Sequence, residues 1–168
     1  MKTVATRFAP SPTGPLHIGG VRTALFNWLY SKNKGGKFYL RIEDTDKDRS
    51  KEEFKNQIIN SLKWIGINYE DNEYIQSDKI NDHINVANEL LKKGLAYKCY
   101  CSSDEIEEQK KRAKQKKIPY IYNRKWRDKS ETDAPKEINP VIRFKSKVEG
   151  KSVLKDLVQG NIEIENNT

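Results

Sequence analysis

The residues able to do chemistry are concentrated in two short stretches. The first is Arg7-Phe8-Ala9-Pro10-Ser11-Pro12-Thr13-Gly14-Pro15-Leu16-His17-Ile18-Gly19-Gly20. It reads as a strand end, a stiff proline-rich loop and a helix start. Ligands of open α/β sheets bind beyond the carboxyl ends of the strands, where such a loop lies. A helix start also offers free N–H groups and partial positive charge, which suit phosphate. His17 stands at that mouth and can donate to a phosphate oxygen. Gly19 and Gly20 would let a flat ring or a phosphate chain approach the backbone. The plain alternative is a capped helix with a surface histidine.

The second stretch is Arg41-Ile42-Glu43-Asp44-Thr45-Asp46-Lys47-Asp48-Arg49. It crowds four carboxylates between two arginines. A calcium loop needs a wider spread of ligands and a turn glycine, and this stretch has neither. A solvated acidic turn is the bland reading. The chemical reading is a carboxylate at a strand end that faces a substrate ammonium.

The elements that must position these stretches follow from periodicity. Residues 3–8 read as a strand and residues 18–34 as a helix with Val21, Leu25, Trp28 and Leu29 inward. Residues 37–42 alternate as a second strand, so a right-handed, parallel βαβ unit is expected. Ser50 with Glu53 fits a capping box for a helix that carries Phe54, Ile58, Leu62 and Ile65 on one face. Residues 81–93 predict a third helix with Ile84, Ala87 and Leu91 on one side. Residues 95–100 predict a strand, and Ser102 or Ser103 caps a polar helix over 104–117. Beyond that, strands are expected at 141–144, 155–158 and 161–165, with Gln159-Gly160 as a hairpin turn. Two parallel strands do not make a finished sheet, so more strands are expected than these residues supply.

The composition sets the class. A chain of 168 residues allows one domain and the start of a second. No apolar run approaches the roughly 20 residues of a membrane span, and the N-terminus lacks a signal-peptide pattern. A cytoplasmic location and no membrane partner are therefore expected. The net charge of +8 points to a polyanionic partner, nucleic acid first. Cys99 and Cys101, one residue apart, are poorly placed for a disulfide and fit a reducing compartment.

Both stretches, at this separation, closely resemble bacterial-type glutamyl-tRNA synthetases, which are class I aminoacyl-tRNA synthetases. The resemblance extends to Gly35-Gly36-Lys37-Phe38-Tyr39-Leu40 before the second stretch, to Trp64-Ile65-Gly66 and to Tyr97-Lys98-Cys99-Tyr100-Cys101. It implies an α/β fold: the first half of a Rossmann-type catalytic domain over residues 1–95, then part of an inserted α+β acceptor-binding domain over 96–168. It implies an ATP-dependent ligase that makes glutamyl-adenylate and passes glutamate to the tRNA 3′ end. His17, Gly19 and Gly20 stand at the catalytic signature, with Gly20 where other class I enzymes carry a second histidine. These three and Pro10 would bind ATP, with Mg²⁺ accompanying it. Arg7 would pair with the substrate side-chain carboxylate, with Ala9 and Ser11 lining the pocket, and Glu43 would receive the ammonium. Asp46 and Arg49 would lie near the terminal adenosine of tRNA. The implied partners are glutamate and glutamate tRNA, with glutamine tRNA as an alternative acceptor, and a monomer is expected.

Two departures from the family pattern matter. Some relatives bind zinc through a Cys-x-Cys pair and a downstream Cys-x-His pair. Trp126 and Asp128 stand where that second pair would be, so no metal is expected. The lysine-rich loop that completes the ATP site in the second half of the Rossmann domain is not among these residues. A half nucleotide site would not turn over by itself. A paralogue that glutamylates a modified tRNA base, or a non-catalytic tRNA-binding module, is the competing expectation.

Overall fold

The computed structural model describes residues 3–167. The chain folds as two compact units, Met1–His83 and Ile84–Thr168. The element that crosses the division is a helix, α3, over Ile80–Lys92.

The first unit is a parallel three-stranded sheet with two helices. Strand β1 is Ala5–Phe8, β2 is Lys37–Ile42 and β3 is Tyr74–Ile75, in the order β1-β2-β3. Arg7 pairs with Tyr39 and Phe8 with Leu40, while Arg41 pairs with Tyr74. The pleat divides β2 cleanly. Phe38, Leu40 and Ile42 are buried, and Tyr39 and Arg41 lie on the other face, half-buried. Helix α1 (Ile18–Asn33) and helix α2 (Glu52–Trp64) belong to the buried side. Their core includes Phe8, Ala24, Ile58, Ile59, Leu62 and Ile67 with the three β2 residues.

Two local expectations for this unit require correction, and one strand is additional. Helix α1 does not turn Leu25 and Leu29 inward: it buries Ala24 and Ser31, with Trp28 half-buried. Small residues let the helix backbone approach the sheet closely, and the hydroxyl of Thr6 in β1 donates to the Asn27 carbonyl at 2.8 Å. Ser50 does not cap α2. The N–H of Lys51 is taken by the Pro12 carbonyl at 2.9 Å and that of Ser50 by the Asp46 carbonyl at 2.9 Å. These bonds hold Lys51 extended at the cap position, so the helix begins one residue too late for Ser50. Strand β3 was not foreseen, because two residues carry no periodicity.

In the second unit, β4 (Ala96–Cys99) pairs antiparallel with β5 (Val141–Phe144). Tyr97, Cys99 and Trp126 form a small core beside Tyr100, Cys101 and Tyr122. Helix α4 is Ser103–Gln115, and the Ser102 hydroxyl accepts from the Glu105 N–H at 3.1 Å. Helix α4 is laced by Glu107–Lys111 and Glu108–Arg112 pairs at i,i+4 spacing. A separate hairpin joins β6 (Lys151–Asp156) to β7 (Gly160–Glu165). The strand expected at 155–158 is thus displaced toward the N-terminus. Asp156 Oδ1 accepts from the Val158 and Gln159 N–H groups, which fixes residues 157–159 as the turn.

Helix α3 keeps the face expected of it only in part, with Ala87 and Leu91 half-buried. None of its residues is buried, and Ile84 is half exposed.

Candidate active site

Both chemical stretches come to the carboxyl ends of β1 and β2. The loop after β1 is fixed by its own backbone to the loop after β2. The Glu43 N–H donates to the Pro10 carbonyl at 2.9 Å, beside the Lys51–Pro12 bond already described. Pro12 is fully buried, and the Leu16 N–H donates to Gln57 Oε1 of α2 at 2.8 Å. Ala9, Pro10 and Ser11 therefore run alongside Glu43 on a stiff track.

His17 is the N-cap of α1, and its Nδ1 accepts from the Gly19 N–H at 3.2 Å. A neutral imidazole that accepts at Nδ1 carries its proton on Nε2, which leaves Nε2 as an outward donor. The two glycines have a packing reason of their own. A Cβ at Gly19 would meet the His17 ring at 3.0 Å, and one at Gly20 would meet Leu16 Cδ1 at 2.7 Å. Gly19 thus gives the imidazole its place over the helix start.

Each carboxylate of the second stretch has its own arrangement. Glu43 Oε1 accepts from Arg41 Nε at 3.1 Å and also from Arg41 Nη2. Asp44 grips the segment after β3: Oδ1 accepts from the Ser77 N–H at 2.9 Å and Oδ2 from its hydroxyl at 2.6 Å. Burial pushes the Asp44 carboxyl up. The Ser77 hydrogen bonds and the charge of Lys55 outweigh it, so Asp44 ionises below its ordinary range. Asp46 Oδ2 accepts from Arg49 Nε at 2.7 Å on the open surface. Among the described residues no cluster of His, Cys, Asp and Glu is arranged to hold a metal ion.

Arg7 differs from its neighbours. It is exposed, and its side chain has no ion pair or hydrogen bond among the described residues. With Arg41, Tyr39, Tyr74, Gln76 and His83 it lines an open cavity of about 380 Å³ on the face opposite α1 and α2. Tyr74, Gln76 and His83 carry no motif that singles them out in the sequence, and Tyr39 lies in the family stretch without being singled out there as a site residue. Tyr39 was readable all the same, because the alternation that buries Phe38 and Leu40 places Tyr39 and Arg41 together on the other face. The others come from β3, the residue after it and α3, whose placement no local pattern announces.

In the second unit, the Tyr122 hydroxyl lies 3.0 Å from Cys99 Sγ and 3.4 Å from Cys101 Sγ. The Arg143 guanidinium sits 3.9 Å above the Tyr122 ring. Trp126 is buried in this core, and Asp128 pairs with Lys145 at 3.0 Å. No helix of the described residues is long and apolar enough to cross a membrane.

Comparison with known proteins agrees along the whole chain. A glutamate–tRNA ligase of Pelagibacter ubique is 78% identical over 168 residues, which is all of this chain and 36% of that protein. Glutamate–tRNA ligase 2 of Rhodospirillum centenum is 47% identical over 164 residues, 98% of this chain and 35% of that protein. The chain thus spans about a third of the length of the curated relatives it matches. A crystal structure of a glutamate tRNA ligase from Elizabethkingia meningosepticum, in complex with its amino acid, superposes with a TM-score of 0.82. It is 32% identical, and the match covers 99% of this chain and 37% of that one. Residues 3–168 match the family described as class I tRNA synthetases (E and Q), catalytic domain, and the chain belongs to that family.

Proposed function

We propose that this chain carries the glutamate-activating site of a glutamate–tRNA ligase. The observation that carries the reading is the pairing pattern of the cavity: Arg7 is a free guanidinium, while Arg41 is neutralised by Glu43. A ligand with a carboxylate at one end and an ammonium at the other fits that pattern. Its side-chain carboxylate meets Arg7, where a planar guanidinium can hold it bidentately and where glutamine would lose the charge pair. Its ammonium meets Glu43, beside the track of Ala9, Pro10 and Ser11.

In the reaction, the glutamate α-carboxylate attacks the α-phosphorus of ATP, and pyrophosphate leaves. The tRNA terminal ribose hydroxyl then attacks the activated carbonyl. The Nε2–H of His17 and the start of α1 at Gly19 and Gly20 stabilise the phosphate charge, with Pro10 against the nucleotide. Mg²⁺ arrives with ATP. Asp46 and Arg49, on the open loop beyond Glu43, face the acceptor end, which glutamate tRNA supplies and glutamine tRNA is to be tested for. Zinc has no part in this reading. Beside the two thiols stand a tyrosine hydroxyl and a buried tryptophan, and Asp128 is paired with Lys145, which is not a four-ligand set.

The test is a charging assay on the protein expressed from its complete reading frame. It uses labelled glutamate, ATP, Mg²⁺ and separately purified glutamate, glutamine and aspartate tRNAs. Glutamate tRNA is expected to take the label. Arg7→Ala is expected to lower kcat/KM for glutamate at least about a hundred-fold, roughly 3 kcal/mol, as when one partner of a desolvated charge pair is removed. Unchanged glutamate kinetics in that variant would remove Arg7 from the site.

A further inference from the structure

We propose that Arg41 is the positioning residue of the ammonium site: it fixes the Glu43 carboxylate by one oxygen and leaves the other for the substrate. This rests on the reading of Glu43 given above. The observation is the asymmetry of the pair. Both Arg41 bonds, from Nε and from Nη2, fall on Glu43 Oε1. Oε2 has no hydrogen bond among the described residues. A bidentate fork would have engaged both oxygens and left neither wholly to an ammonium. A glutamate with no such partner would turn freely about its side-chain torsions, and each substrate molecule would have to freeze it.

The placement follows from the strand. Arg41 and Glu43 are two residues apart at the end of β2, so they project to the same face. Both side chains are about 30% exposed, enough to admit a ligand and little enough to keep the pair ordered. The backbone is held independently through the Glu43 N–H to Pro10 bond. Arg41 thus sets the direction of a carboxylate whose Cα is already fixed. Because Arg41 is neutralised, Arg7 is the one of the two guanidinium groups lining the cavity that is left free for the substrate side chain. The same pair therefore keeps the two ends of the substrate from exchanging places.

The experiment measures charging kinetics of the complete protein for Arg41→Gln, Arg41→Lys, Glu43→Gln and the Arg41→Gln/Glu43→Gln double variant. KM for glutamate and for ATP are followed separately, with a melting curve for each variant. Arg41→Gln is expected to raise KM for glutamate at least ten-fold and to leave KM for ATP within two-fold. Arg41→Lys, which can still donate to Oε1, should recover most of that loss. In the Glu43→Gln background, Arg41→Gln should add less than two-fold, because it acts only through Glu43. Independent, multiplying losses in the double variant would overturn the proposal, and so would an unchanged KM in Arg41→Gln while Glu43→Gln is impaired. An unimpaired Glu43→Gln would instead remove the reading of Glu43 itself. Should Arg41→Gln not fold, the cycle runs with Arg41→Lys. Its smaller loss must likewise vanish in the Glu43→Gln background, or the proposal fails.

Discussion

Asp44 shows how a residue beside the site can matter without touching substrate. Its two oxygens hold the hydroxyl and N–H of Ser77, which joins the loop that carries Glu43 to the segment after β3. Because hydrogen bonds outweigh burial, its folded pKa lies below the unfolded value of about 4. A depressed carboxyl contributes stability that is complete above the unfolded pKa and is lost as pH falls through the folded one. Asp44→Asn keeps the shape and removes the charge. It is expected to cost of the order of 1 kcal/mol at pH 7, modest because the site is partly open to water. Urea unfolding of both proteins at pH 7 and below pH 4 checks this, and the gap should narrow in acid. A gap that stays constant would mean that the carboxyl contributes through shape alone. Of the residues proposed for this site, His17 and the carboxylates around Glu43 were legible by type and position, and Arg7 through the resemblance. Their partners were not. Nothing in a sequence says that Asp44 meets Ser77, a residue 33 positions away, or that Glu43 uses one oxygen for Arg41.

At the scale of elements, the connection between α1 and β2 controls how the two site-bearing strands meet. The Gly36 N–H donates to the Ser31 carbonyl in α1 at 2.7 Å, and the Lys37 N–H donates to the Val4 carbonyl at 2.8 Å. A Cβ at Gly36 would press directly on the Val4 carbonyl oxygen and lie 2.9 Å from its Cβ. The obstacle is mostly backbone, which cannot rotate away. Gly36→Ala should therefore destabilise the protein by about 1–3 kcal/mol and lower the melting temperature. Gly14, with nothing near its Cβ, serves as the control, and equal melting of the Gly36→Ala and Gly14→Ala variants would refute the argument. The same scale explains what was misread. The alternation of β2 and the 3–4 spacing of α2 are strong signals, and both elements form as expected. Helix α1 was read from the spacing of its large apolar residues, which put Leu25 and Leu29 inward. The sheet instead takes the stripe of small residues that lets the backbones approach. The β6–β7 hairpin slipped because Leu157 and Val158 look like strand, while the capping Asp156 makes them turn.

Across the whole molecule, the charge is not shared evenly. The first unit has 13 basic and 11 acidic residues, and the second has 19 basic and 13 acidic, so most of the net charge of +8 lies beyond residue 83. Within the second unit, many basic groups are already committed. Lys111 and Arg112 pair within α4, Lys125 with Glu105, Lys98 with Glu131 and Lys145 with Asp128. Lys114, in the last turn of α4, and Lys116, just after it, have no acidic partner among the described residues. An uncommitted ammonium group releases a counterion from a phosphate without first breaking an ion pair. On the proposed function, these lysines should therefore contribute more to tRNA binding than their paired neighbours. Replacing Lys114 and Lys116 by glutamine should weaken tRNA binding at low salt and flatten the plot of log affinity against log salt. The slope should fall by about 0.7–0.9 for each lysine that meets a phosphate. Replacing Lys111, which has to leave Glu107 first, should change the slope less. Affinity measured by filter binding at several salt concentrations decides the matter. Equal slopes for the wild type and the Lys114/Lys116 variant would place the tRNA backbone elsewhere on the protein.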